Sequence, residues 1–158
     1  MGSYVYFQIG QHNFAIEIEH VVEVQDMVKV APLPRTPEFV VGVANFRGEI
    51  LPVIDLKLRF KLGSNDTTDK RYIIVLKYFM ENVENFLAFV VDRVLGVSNG
   101  EKLDMEQLPQ KPLQQIKQYI SGGVRFGDGF AYLLDKQKVL QELAVSILHY
   151  VKSGAKNE

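Results

Sequence analysis

The chain has 158 residues, enough for one ordinary domain or two very small ones. Hydrophobic residues make up 47% and charged residues 23% of it, the profile of a globular protein and not of a disordered one. A net charge of −1 excludes the basic footprint of a nucleic-acid or acidic-membrane binder, and the absence of Cys excludes disulfides, thiolate catalysis and cysteine-ligated zinc.

The N-terminal stretch YVYFQIGQHNFAIEI predicts a β-hairpin turning at Gly10-Gln11-His12-Asn13. It lacks the basic and apolar regions of a signal peptide, and no apolar span approaches the about 20 residues of a membrane helix. EHVVEVQD, with Val21, Val22 and Val24 apolar, is too short to assign to a helix. Three prolines (Pro32, Pro34, Pro37) make VAPLPRTPE an extended, irregular connection. Strands are predicted at Val40–Phe46 and Glu49–Asp55, joined at Arg47-Gly48. Pro52 has no ladder donor, so its strand is expected at an edge or beside a bulge. Gly63–Lys70 is polar and turn-rich, a boundary between subunits of the fold. RYIIVLKY and NFLAFVVD then form a second strand pair around Glu81-Asn82, LPQKPLQQIKQ reads as a polar connection, and GFAYLLD as a late strand. From Asp135, a plausible N-cap, to Val151 the period becomes helical, with Val139, Leu140, Leu143, Ile147 and Tyr150 on one face.

The second half restates the first. Sliding FVVGVANFRGEILPVIDL onto YISGGVRFGDGFAYLLDK sets Gly42 on Gly122, Phe46 on Phe126 and Asp55 on Asp135. A second offset sets FAIEIEHVVEV on LAFVVDRVLGV. The shared order of hairpin, valine-rich segment, proline-containing connection and strand pair points to an ancient duplication and two small β-barrels. The expected division is 1–66 for the first barrel and 67–158 for the second with its C-terminal helix, within one domain spanning 1–158 and with exchange of strands between the barrels left open.

Catalytic patterns are missing. GGVRFGDG lacks the Lys-Ser/Thr and the following helix of a phosphate loop, and there is no GxSxG elbow or HExxH. His20 and Glu23 would lie one turn apart if their stretch were helical, a start for a metal site that would need further ligands from elsewhere. Asp55, Asp92 and Asp135 end strands, where capping is the ordinary role. The remaining polar feature is the loop carrying Asn45, Arg47 and Glu49. Its repeat counterpart is Gly127, so the fold does not require an arginine there, and an arginine beside apolar surface is a common interface anchor.

GVANFRGEILPVIDLKLRFKL resembles the signature of the CheW family, a Gly-Val-x-Asn-Leu-Arg-Gly loop leading into an Ile-x-Pro-Val-x-Asp-Leu strand, with Phe46 where Leu is usual. FAIEIEHVVEV, LAFVVDRVLGV and YISGGVRFGDGFAYLLD are similar to three further family blocks, in order, so the resemblance runs from about Tyr4 to Leu143. It implies a mainly β fold of two five-stranded SH3-like barrels. It also implies a non-enzymatic adaptor that couples chemoreceptor tips to the histidine kinase CheA in membrane-associated arrays. The missing ligand and nucleophile patterns lead us to expect no metal or cofactor, and the missing signal peptide and membrane span a cytoplasmic location. The same fold serves as the regulatory domain of CheA and within CheV, an alternative origin for the chain. A small-ligand-binding or enzymatic β-barrel using the cleft between the units is the alternative from another class. By resemblance Glu23 falls on the family's acidic position and Arg47 on its loop arginine. These two, with Val21, Val24 and Val90 as an apolar groove, are expected to face the receptor, and to lie within salt-bridge reach of each other. Val43 and Ile50 are expected to face CheA. No contact with nucleic acid and no insertion into the membrane are expected.

Overall fold

A computed structural model describes residues 2–62 and 70–140. Two strands open the chain, β1 (Gly2–Ile9) and β2 (His12–Glu17), joined by a two-residue turn. A single 3-10 turn at Ile18–His20 leads into β3 (Val21–Asp26), so the stretch that held His20 and Glu23 is mostly strand and does not set them on a helical face. β4 (Val40–Phe46) and β5 (Glu49–Asp55) follow, then the short helix α1 (Leu56–Phe60). The second half supplies β6 (Tyr72–Met80), β7 (Val83–Val91) and β8 (Arg93–Leu103). It continues with helix α2 (Gln110–Ile116), β9 (Ile120–Phe126), β10 (Gly129–Leu134) and α3 (Lys136–Leu140). The expected polar connection at LPQKPLQQIKQ is therefore helical. Leu113 and Ile116 lie three residues apart within the helix and are both buried. Leu143, Ile147 and Tyr150 lie outside the described residues.

The strands form a closed barrel, in the order β1-β2-β10-β9-β8, and a five-stranded sheet, in the order β3-β6-β7-β5-β4. A division into 1–66 and 67–158 does not describe this sharing. The hairpin β1–β2 joins the late strands through a parallel pairing of β2 with β10, and β7 pairs in parallel with β5. Ala15 opposite Leu133 and Ala88 opposite Val53 are the same contact in the two halves, at the two offsets found in the sequence. The duplication is thus visible in the registers, with each hairpin donated across it.

Exchange also explains why the strands are apolar on both faces. Tyr4 and Tyr6 of β1 line the closed barrel with Ala15, Val124, Ala131 and Leu133. The alternate residues Val5, Phe7 and Ile9 enter a core shared with Ile54, Ile74, Leu76, Phe89 and Val91 of the other sheet and with Leu56 of α1. Within the second sheet, Ala44, Phe46, Leu51, Val53, Ile73, Val75, Ala88 and Val90 form a core of their own.

The second sheet closes differently from the first. In the barrel, β8 and β9 pair over Glu101–Leu103 and Gly123–Arg125. Between β3 and β4 there is instead a single bridge, Ala31 with Val43, made by two backbone hydrogen bonds of 2.8 Å. Val43 turns both its backbone groups toward Ala31, so its partner Pro52 needs no donor toward β4. On the other side the pairing of β5 with β7 begins only at Val53. Pro52 therefore sits in an interior strand, not at an edge, at a position where its missing N–H leaves no ladder bond unmade.

Candidate functional site

The β4–β5 turn and β3 meet across the seam of the second sheet. Arg47 and Gly48 both have positive φ, 52° and 84°, forming a tight hairpin turn whose Gly48 N–H donates to the Asn45 side-chain oxygen at 3.1 Å. The Arg47 guanidinium lies over the Phe46 ring, 4.8 Å from its centroid, and its Nη2 donates to Glu23 Oε1 at 2.8 Å. The expected pairing is formed. Arg47 remains 64% exposed and Glu23 31% exposed, so the pair contributes only about 0–1 kcal/mol of stability. What it does is hold a guanidinium in one orientation at the surface. Arg47 is also a non-glycine residue in a left-handed conformation, where its repeat counterpart is Gly127 with φ of 58°.

The structure separates the valines expected around this pair. Glu23 stands opposite Val75, on the face of β3 that lines the second sheet's own core, while Val21 and Val24 stand opposite Leu76 and Ile74, on the face turned to the shared core. Val21 packs at the margin of that core and Val24 is exposed. Val90 is a correction: paired with Ile73 and fully buried in the second core, it lines no groove. FLAFVVD is apolar at every position but its last, so strand period alone could not tell its surface residues from its core ones. Val43 is half-buried against Val40 and Ile50 is exposed, both on the outer face of the β4–β5 hairpin opposite Ala44 and Phe46.

Two features escaped the sequence reading. Leu95 and Val97 on β8 are exposed, Val97 at 58%, and the second sequence offset carries Val24 onto Val97. The other is a buried charge cluster at the junction of the two sheets. Arg71 makes a bidentate contact with Asp55 (2.7 and 3.1 Å) and reaches Asp92 at 3.2 Å. Lys57 Nζ approaches Asp92 at 3.1 Å, and the Gly10 N–H of the β1–β2 turn donates to Asp92 at 2.7 Å. Burial alone would favour a neutral Arg71, but its hydrogen bond to Asp55 and the charges of Asp55 and Asp92 outweigh this and raise its pKa. Asp55 also caps α1 as expected, through the Lys57 and Leu58 N–H groups. Asp92 instead joins the two sheets.

Among the described residues, Glu17, Glu19 and His20 bring ligand atoms within 4.8 Å of one another. Burial, followed by a hydrogen bond to Glu19, raises the Glu17 pKa, and burial together with the charge of Lys136 lowers that of His20. Glu23 is not part of this group. No helix among the described residues is long and apolar enough to cross a membrane.

Residues 3–144 match the family model of the CheW-like domain. The chain belongs to this family. It is 33% identical over 146 residues to the chemotaxis protein CheW of Treponema pallidum, covering 89% of this chain and 85% of that one. Over 92 residues it is 48% identical to the protein FrzA of Myxococcus xanthus, covering 58% of this chain and 54% of FrzA. The fold is similar to that of the scaffolding protein TtCheW from Thermoanaerobacter tengcongensis, with a TM-score of 0.71 at 24% identity over 85% of this chain and 88% of that one. The mainly β architecture of two five-stranded sheets is thus the CheW-like fold.

Proposed function

We propose that this CheW-like chain is a non-catalytic adaptor of the cytoplasm, joining the helical tip of a chemoreceptor to the regulatory domain of the kinase CheA. The observation that carries the receptor half is the Glu23–Arg47 pair: a 2.8 Å contact that orients an exposed arginine held in a left-handed turn. A left-handed backbone kept at a non-glycine surface residue is a mark of function. A receptor tip is a helical hairpin, and a helix is fixed on a surface by apolar contacts plus a few charges that set its register. Arg47→Ala and Glu23→Lys are expected to leave the thermal midpoint nearly unchanged while weakening binding to a receptor fragment and lowering CheA activation. Normal activation in both variants would remove the pair from the receptor surface.

For the kinase half, the outer face of the β4–β5 hairpin around Val43 and Ile50 is the proposed contact. Ile50 is 43% exposed, so a charge there costs the fold little. Ile50→Glu is expected to weaken CheA binding at least tenfold in a direct titration. Unchanged affinity would move the kinase contact to another surface. A domain cut from a longer CheA or CheV would present the same hairpin, and the two origins differ in what precedes and follows it.

A further inference from the structure

The prolines that precede β4 brace a turn whose tip is an arginine. Leu33, Pro34, Arg35 and Thr36 form it, and the Thr36 hydroxyl donates to the Leu33 carbonyl at 3.1 Å. Arg35 has a φ of 61°, a left-handed conformation that suits Gly or Asn and strains a larger residue. Pro32, Pro34 and Pro37 each fix their own φ, so the turn has few other shapes to adopt.

The second half contains the same pattern. Leu33-Pro34-Arg35-Thr36-Pro37 is echoed by Leu108-Pro109-Gln110-Lys111-Pro112. There the third residue, Gln110, opens helix α2 and folds its amide back onto the chain, donating to the Leu108 carbonyl at 2.8 Å. The repeat therefore requires neither an arginine nor a left-handed backbone at this place. Arg35 has both. Arg47, Arg71 and Arg125 each reach a carboxylate, whereas the exposed Arg35 guanidinium has no ion-pair or hydrogen-bond partner among the described residues.

The turn adjoins the hairpin face proposed to meet the kinase. Ala31 bridges to Val43, and Leu33 packs with Val43 against Val40. Arg35 thus stands two residues beyond Leu33, at the margin of a surface that continues through Val43 to the exposed Ile50. We propose that Arg35 is the charged anchor of this face and binds a carboxylate on the regulatory domain of CheA, an inference that rests on the β4–β5 hairpin meeting the kinase. Arginine beside apolar surface is favoured as an interface anchor, and its guanidinium takes a carboxylate through two parallel hydrogen bonds. A backbone already fixed by prolines has less freedom to lose when the partner binds.

The test compares Arg35→Gly, Arg35→Glu and Ile50→Glu in the full chain, by thermal unfolding and by titration with full-length CheA of the same organism. Arg35→Gly removes the side chain and relieves the backbone. Its thermal midpoint is expected to hold or rise while CheA binding weakens roughly tenfold. Arg35→Glu should bind more weakly still, because like charges repel across an interface, and the gap between the two should narrow as salt is raised. An arginine kept for the fold gives the opposite result, a lower midpoint with unchanged affinity, and that would overturn the inference. Unchanged affinity in Arg35→Gly with weakened binding in Ile50→Glu would overturn it while leaving the hairpin reading in place. Unchanged affinity in all three variants would remove the hairpin from the kinase contact and the anchor with it. Equal affinities of Arg35→Gly and Arg35→Glu would show that no carboxylate faces the position, which also defeats the proposal.

Discussion

Replacing Arg71 by methionine is expected to lower the unfolding free energy by about 3–5 kcal/mol, the usual cost of removing one partner from a buried ionic group. Methionine keeps much of the side-chain volume, so the loss isolates the charge. Asp55 and Asp92 are 7% and 6% exposed and would face each other with only Lys57 left between them. For a domain of this size the deficit is a Tm drop on the order of 10 °C. Asp92→Asn should cost less, because an amide oxygen can still accept from the Gly10 N–H. A loss below about 1 kcal/mol in Arg71→Met would mean that water screens the cluster as it screens a surface pair.

The second large effect is expected at Gly42, whose φ is 150°. A Cβ built there would fall 2.1 Å from the Ala31 carbonyl oxygen, against backbone that has nowhere to go. Gly42→Ala must therefore break the Ala31–Val43 bridge, which is the only strand bridge across the seam among the described residues. Strain and two lost hydrogen bonds together make roughly 3 kcal/mol or more. Gly122→Ala should behave alike, with its Cβ 2.6 Å from the Leu103 carbonyl oxygen. Gly127→Ala is the control: nothing lies within 4 Å of its Cβ, so only the positive φ is penalised, by about 1–2 kcal/mol. Equal urea midpoints for Gly42→Ala and Gly127→Ala would defeat this reading of the seam.

Local features were legible in the sequence where a short-range cause determines them. The bounds of β4 and β5, the turn at Arg47-Gly48, and the caps at Asp55 and Asp135 all follow from residues next to one another. The Glu23–Arg47 contact came from resemblance, and the seam that brings the two together is a property of the closed sheet. Exchange of hairpins between the two sheets rests on the parallel pairings of β2 with β10 and β5 with β7, which no local period encodes. Val90 was misplaced for a related reason. In a strand buried on both faces, alternation no longer separates core from surface, and its partner Ile73 is distant in sequence. Arg71 passed unnoticed beside a polar stretch because its two aspartates lie 16 and 21 positions away. A helical connection at Gln110–Ile116 was hidden by its prolines and glutamines, although its apolar residues carry the helical spacing.

The interleaving of the two sheets also bears on how the chain is born. Strands β3 to β7 are contiguous in sequence, whereas the closed barrel needs β1 and β2 from the start of the chain and β8 to β10 from beyond residue 93. During synthesis the first hairpin leaves the ribosome with Val5, Phe7, Phe14 and Ile16 uncovered. It must wait while roughly 75 further residues are made, on the order of ten seconds at ordinary translation rates. The contiguous sheet can assemble in that interval and offer the shared core as a first surface for the waiting hairpin. The order of translation would then make the sheet that carries Arg47 the template on which the barrel is completed.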